Sequence, residues 1–174
     1  LDRLSSNNNF EGGLSTTLGF DYEIKDENSD KLFNLEVGQI INEKENKNMP
    51  SSSSLDEKLS DVVGNMNFEI NKKINLNYNF AVDQSYNHLN YNEIATGFDF
   101  NPVKFNVSYL QEKEHIGDKE YMKANINFEK GNNSVFTAES KRNLITNSAE
   151  YYNLSYEYLN DCLRAGLVYR REFY

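Results

Sequence analysis

Alternation of apolar and polar positions dominates this chain. Its clearest instance is the closing pair of segments, Ala149–Tyr158 and Leu163–Phe173, on either side of a tight turn. In the first, Tyr152, Leu154, Tyr156 and Tyr158 fall on one face, and Asn153, Ser155 and Glu157 on the other. In the second, Leu163, Ala165, Leu167 and Tyr169 share a face. Cys162, Arg164, Gly166, Arg170 and Glu172 take the opposite one. Successive side chains of a strand point to opposite faces, so this period of two predicts a hairpin with one apolar and one polar side.

The same rhythm predicts ten strands in all. Leu14–Ile24 sets Leu18, Phe20, Tyr22 and Ile24 against Thr17, Gly19, Asp21 and Glu23. Leu32–Ile41 has Phe33, Leu35, Val37 and Ile41 on its apolar face. The third strand carries Val62, Met66, Phe68 and Ile70. The fourth sets Ile74, Leu76, Tyr78, Phe80 and Val82 against Asn75, Asn77, Asn79, Asp83 and Ser85. The fifth sets Ile94, Thr96, Phe98 and Phe100 against Glu93, Gly97 and Asp99. In the sixth, Val103, Phe105, Val107 and Tyr109 oppose Lys104, Asn106, Ser108 and Glu112. In the seventh, Met122, Ala124, Ile126 and Phe128 oppose Lys123, Asn125, Asn127 and Glu129. The eighth, near Ser134–Arg142, does not resolve into two faces.

Two features turn this all-β pattern toward a membrane. The central stretches of the apolar faces carry no charge, as expected where an Arg or Lys at mid-bilayer costs roughly 2–4 kcal/mol. Several alternations also continue for about ten residues, the length a tilted membrane strand needs. Mean hydropathy is −0.76, and no apolar run is long enough for a membrane helix. Barrel strands expose lipid-facing side chains only at every second position, so mean hydropathy does not register them. The reading is an antiparallel, up-and-down transmembrane β-barrel segment.

The connections fit that architecture. Asn71–Lys73, Asn101–Pro102, Lys130–Asn133 and Asn160–Asp161 are tight turns, and strand counting puts Lys25–Asp30 on their side. Asn42–Leu59, with its Ser51–Ser54 run, and Asn87–Asn90, Lys113–Asp118 and Asn143–Asn147 lie opposite and are generally longer. Outer-membrane barrels have short periplasmic turns and longer external loops. Aromatics flank both ends: Phe20, Tyr22, Phe33, Phe68, Phe100, Phe105, Phe128, Phe136 and Tyr158 on the tight-turn side, and Tyr86, Tyr109, Tyr121 and Tyr151 on the other. Two interfacial girdles are one account of them. Good strand formers in ordinary strands are another.

The 174 residues carry a net charge of −9, which repels nucleic acid. The absence of an initiator Met and of a signal peptide implies a mature form or a fragment. No nucleophile–base pair, phosphate loop or metal-ligand spacing stands out, so no enzyme, cofactor or metal site is expected. His88 and His115 read as solvated loop residues, and Glu112 and Glu114 beside His115 as ordinary loop charge. Gly12–Gly13 reads as a strand start. Cys162 is the single cysteine. On the periplasmic rim of an oxidising compartment it invites a partner outside this chain, or is an incidental thiol.

The run from Tyr152 to Tyr174, YNLSYEYLNDCLRAGLVYRREFY, resembles the C-terminal barrel region of the LptD family of lipopolysaccharide-assembly outer-membrane proteins. The opening Leu1–Leu4 followed by Glu11–Gly13 is similar to that family's strand start, and between the ends only the hairpin rhythm matches. The resemblance implies that residues 1–174 are a partial barrel domain, part of a larger barrel in the outer membrane of a Gram-negative bacterium. It implies partners: lipopolysaccharide, an LptE-like plug lipoprotein in the lumen, a periplasmic lipopolysaccharide bridge reached through an N-terminal domain outside this chain, and membrane lipid. It also implies that Cys162 pairs with a cysteine of that N-terminal domain; its neighbour here is Leu163, where relatives can carry a second cysteine. The function implied is the wall of the translocon that assembles lipopolysaccharide into the outer leaflet. The alternatives are a small porin-like barrel, and a soluble β-barrel or sandwich binding module.

Overall fold

The computed structural model describes residues 12–28, 30–50, 54–113, 117–131 and 133–173. The expected strand start at Leu1–Glu11, most of the serine run, Glu114, His115 and Tyr174 lie outside the described residues. The described residues contain ten strands and no helix: β1 Ser15–Lys25, β2 Lys31–Asn42, β3 Val62–Asn71, β4 Ile74–Val82, β5 Leu89–Phe100, β6 Val103–Glu112, β7 Lys119–Lys130, β8 Ser134–Asn143, β9 Ser148–Leu159 and β10 Arg164–Glu172. The strands are antiparallel, up-and-down and sequential in one sheet, with β1 and β10 at the two ends of the order.

Strand ends lie close to those expected, and two starts shift named residues. β5 starts at Leu89 because its polar first residues are ladder members: the Lys113 amide donates to the Asn90 carbonyl at 3.0 Å. β10 starts at Arg164, so Cys162 belongs to the turn before it rather than to its polar face.

The described chain groups into two compact units. The first comprises Leu1–Asn67, Tyr78–Asn92 and Glu112–Asp118. In it β1 and β2 pair from Ser15↔Asn42 to Ile24↔Phe33, with a register shift at Ile24/Lys25. On the apolar face Phe20 stacks on Tyr22 at 6.4 Å, and Tyr22 meets Phe33 edge-on at 6.3 Å. Gly64 of β3 has the Phe80 ring of β4 lying over it, and a Cβ there would run into that ring. The aromatic covers a backbone position that has no side chain of its own.

The second unit comprises Phe68–Asn77, Glu93–Gln111 and Lys119–Tyr174. Here the registers of β7, β8, β9 and β10 fix the faces. Phe128↔Phe136↔Tyr156↔Leu167 and Ile126↔Ala138↔Leu154↔Tyr169 are two rows across the apolar side. The unresolved eighth strand therefore puts Phe136 and Ala138 on the apolar face and Thr137, Glu139 and Lys141 on the polar face. Charge on the apolar side is confined to strand ends, where Arg142 pairs with Met122 and Arg171 with Tyr152.

Among the described residues, Met49 and Ala81 are the buried hydrophobics. Leu18, Phe20, Ile70, Leu154, Leu167 and Tyr169 are all exposed, Leu167 at 75%. A water-soluble sheet buries such a face under a second layer. Here, in each unit, the apolar side chains that alternation sets apart are exposed.

Gly64→Val is expected to destabilise the fold by about 1–3 kcal/mol, the usual cost of overpacking, read as a lower unfolding midpoint. A variant as stable as the parent would mean that Phe80 does not need the glycine.

Candidate functional site on the polar face and its rim

Each strand that turns an apolar residue outward turns a polar one the other way. On β7–β10 this polar face carries a connected group. Lys123 Nζ is 2.8 Å from Glu139 Oε1, and the Tyr151 hydroxyl donates to the same carboxylate at 2.6 Å. Lys141 pairs with Glu150 at 2.8 Å and lies over the Tyr121 ring at 3.9 Å. Arg170 lies over the Tyr151 ring at 5.3 Å. Tyr121 and Tyr151 are thus bound to cations on the polar face and do not join a loop-side girdle. The reason is parity: Tyr121 shares its face with Lys123 and Asn125, and Tyr151 pairs with Lys141.

Asparagines cover much of the remaining polar surface. In the second unit Thr137 donates to Asn127 at 2.8 Å, and Asn127 to Asn125 at 3.0 Å. In the first unit Asn67 donates to Asn65 at 2.5 Å, and Asn65 to Asn79. A primary amide both donates and accepts, so such a surface is wet and uncharged.

The connection between β2 and β3 forms the rim of the first unit. It is folded back as a strap, not left as an open loop. Asn42 N donates to Lys58 O at 2.8 Å, Ser60 N to Ile40 O at 2.9 Å, and Asn46 N to Asp56 O at 2.7 Å. The Asn42 amide group bonds the carbonyls of Leu55 and Glu57 at 3.2 and 2.7 Å. Asp61 is buried and accepts from Asn90 Nδ2 at 2.9 Å. Gln84 donates to Glu57. Burial holds the Glu57 carboxyl above the ordinary glutamate range, and Asp56, Asp83, Asp61 and Glu45 push it further up. Asp83 moves the other way, chiefly because the Ser85 hydroxyl donates to its carboxylate.

Cys162 is exposed, and its thiol is free. Its backbone N–H donates to Asn160 Oδ1 at 3.0 Å, and that of Leu163 to the same oxygen at 2.7 Å. The Asn160 side chain shapes the turn and presents the cysteine on its outside. His88 is an exposed loop residue, 3.9 Å from Asp83. The described residues contain no cluster of three metal-binding side chains.

A raised carboxyl pKa means that the closed strap holds a proton that the opened strap releases. Stability then falls as pH rises from the ordinary glutamate value to the raised one. Asp83 contributes in the opposite sense, and its share is lost only below the ordinary aspartate value. Intrinsic-rate-corrected amide exchange at Asn42, Asn46 and Ser60 is therefore expected to slow as pH falls from neutral to mildly acidic. Glu57→Gln should slow exchange at neutral pH and flatten this dependence. A variant with the parent's pH profile would remove Glu57 from the account.

The comparisons with known proteins bear on what this face serves. No curated protein matches the chain. The family model "LptD: LPS transport system D" matches residues 1–153. That segment contains the opening run and the hairpins whose rhythm alone was similar. The Tyr152–Tyr174 run lies beyond the match except for its first two residues. With the match covering most of the chain, the protein belongs to the LptD family of lipopolysaccharide transport.

Proposed function

We propose that this chain is part of the wall of the outer-membrane translocon that assembles lipopolysaccharide into the outer leaflet. The observation that carries the reading is the sheet itself. Its apolar face is exposed, uncharged along its centre and not covered by a second layer among the described residues. On this reading the apolar face meets membrane lipid and the amide-rich face lines a wet lumen. Transport is then physical: hydrated sugar passes on the polar side and no covalent bond changes. Residues 1–174 form a partial barrel domain in the outer membrane of a Gram-negative bacterium.

The partners follow from this reading. Lipopolysaccharide is the cargo, an LptE-like lipoprotein occupies the lumen, and the periplasmic bridge delivers cargo through a domain outside this chain. The Asn160-shaped turn becomes periplasmic, and Cys162 forms a disulfide with that domain. Its exposure outside the ladder suits a long-range partner. A self-closed ten-strand porin is less well supported, because among the described residues β1 and β10 are the two ends of the strand order. A soluble sandwich is less well supported, because among the described residues the apolar side chains are exposed and no second layer covers them.

Leu154→Arg, at the middle of β9, should cost roughly 2–4 kcal/mol in a bilayer, measured by denaturant unfolding in vesicles. Ser155→Arg on the opposite face should cost well under that. Equal costs would argue against lipid at Leu154. For Cys162, the full-length protein from membranes should run differently on a non-reducing gel from its Cys162→Ser variant. Identical mobility with a free thiol at Cys162 would remove the disulfide from the proposal.

A further inference from the structure

The polar face of the second unit has a low point. On β5 the polar-facing positions are Glu93, Ala95, Gly97 and Asp99, so the middle of the strand carries almost no side chain. Its neighbours stand higher, with Asn75 and Asn77 on β4 and Asn106 and Ser108 on β6. The result is a cleft of about 340 Å³ that reaches Asn125 and Lys123 on β7. A second cleft of about 240 Å³, toward the Lys72–Lys73 turn, shares Asn75, Gly97 and Asn106 with the first. Gly97 is therefore the saddle between them.

Gly97 is required there by close approach. A Cβ at this position would sit 2.8 Å from Asn75 Oδ1 and 2.9 Å from Asn106 Oδ1. Glycine inside a strand weakens it and often marks a point where another group comes near. Here two side-chain amides converge over bare backbone.

The lining selects the ligand. An anion would need an uncommitted cation, but the lysine that lines the first cleft, Lys123, is held by Glu139 at 2.8 Å. An apolar ligand would strip water from the amides without replacing their hydrogen bonds. A neutral, hydroxyl-rich ligand replaces it group for group, since hydroxyls and amides both donate and accept. We propose that the cleft over Gly97 is a saccharide subsite, in which Asn75 and Asn106 hydrogen-bond one sugar unit seated above them. The proposal rests on the translocon reading and names the part of the cargo that this face holds. Amide–hydroxyl bonds exchanged for amide–water bonds give a weak grip, as passage requires.

The test uses the full-length protein in detergent and delipidated polysaccharide released from lipopolysaccharide as probe, with binding read by saturation-transfer NMR. The parent should bind. Gly97→Leu should weaken binding about tenfold or more, the equivalent of one or two lost hydrogen bonds. Asn75→Ser with Asn106→Ser keeps the backbone and should weaken it similarly, so a folding defect in the leucine variant does not decide the matter. Ser155→Leu, on the polar face away from the cleft, should bind as the parent does. No binding by the parent, or equal binding by all variants, overturns the subsite. Surface lipopolysaccharide in cells that depend on this protein is measured in parallel. If the parent supports export but the cleft variants bind normally, the subsite alone fails. If the parent does not support export, the translocon reading fails.

Discussion

The backbone ladder is the interaction on which the rest of this molecule depends. Among the described residues, Met49 and Ala81 are the hydrophobic side chains that are buried, so no packed interior holds the strands in place. What fixes them is the exchange of N–H and C=O groups between neighbours, which leaves side chains free to follow a strict alternation. In a hydrocarbon environment that exchange is compulsory, because an unpaired backbone group has no water to turn to. It also explains how such different chemistry can occupy the two faces. A one-residue slip in register would carry Leu154 to the polar side and Ser155 to the apolar side. Cross-strand rows such as Phe128, Phe136, Tyr156 and Leu167 oppose that slip.

The strap between β2 and β3 extends the same logic to the rim. Its order comes from backbone and amide bonds to β2, while its carboxylates repel one another around Glu57. Backbone pairing therefore holds together a segment whose charges oppose closure. The polar face of β7–β10 solves a similar problem by pairing: Glu139 sits between Lys123 and Tyr151.

The strands were legible in the sequence because their period of two survives local exceptions. β8 was legible as a strand but not in its faces. Val135 lies on its polar side, and Ser134, Ser140 and Arg142 on its apolar side, so the pattern cancels until β7 and β9 supply the register. Parity could have placed Tyr121 and Tyr151 on the polar face, since each has apolar neighbours at odd offsets. Their ring character masked that signal. The strap was not legible, because its bonds join residues roughly ten to twenty positions apart and no local motif marks them. The Gly97 cleft was equally hidden: glycine is visible in the sequence, but the convergence of Asn75 and Asn106 on it needs three strands in register. The family resemblance lies in the closing run and, more weakly, in the opening one, whereas the family match covers residues 1–153. The hairpin body, which offered no short motif to the eye, lies within that match.

The neutrality of the asparagine-lined surface has a consequence for the medium around it. Attraction between charges fades as salt accumulates, with a screening length of about 10 Å at 0.1 M ionic strength and about 3 Å at 1 M. Hydrogen bonds from Asn75, Asn106 and Asn125 involve no net charge and have little to lose to screening. A surface built this way hydrogen-bonds neutral groups equally well whether the surroundings are dilute or briny.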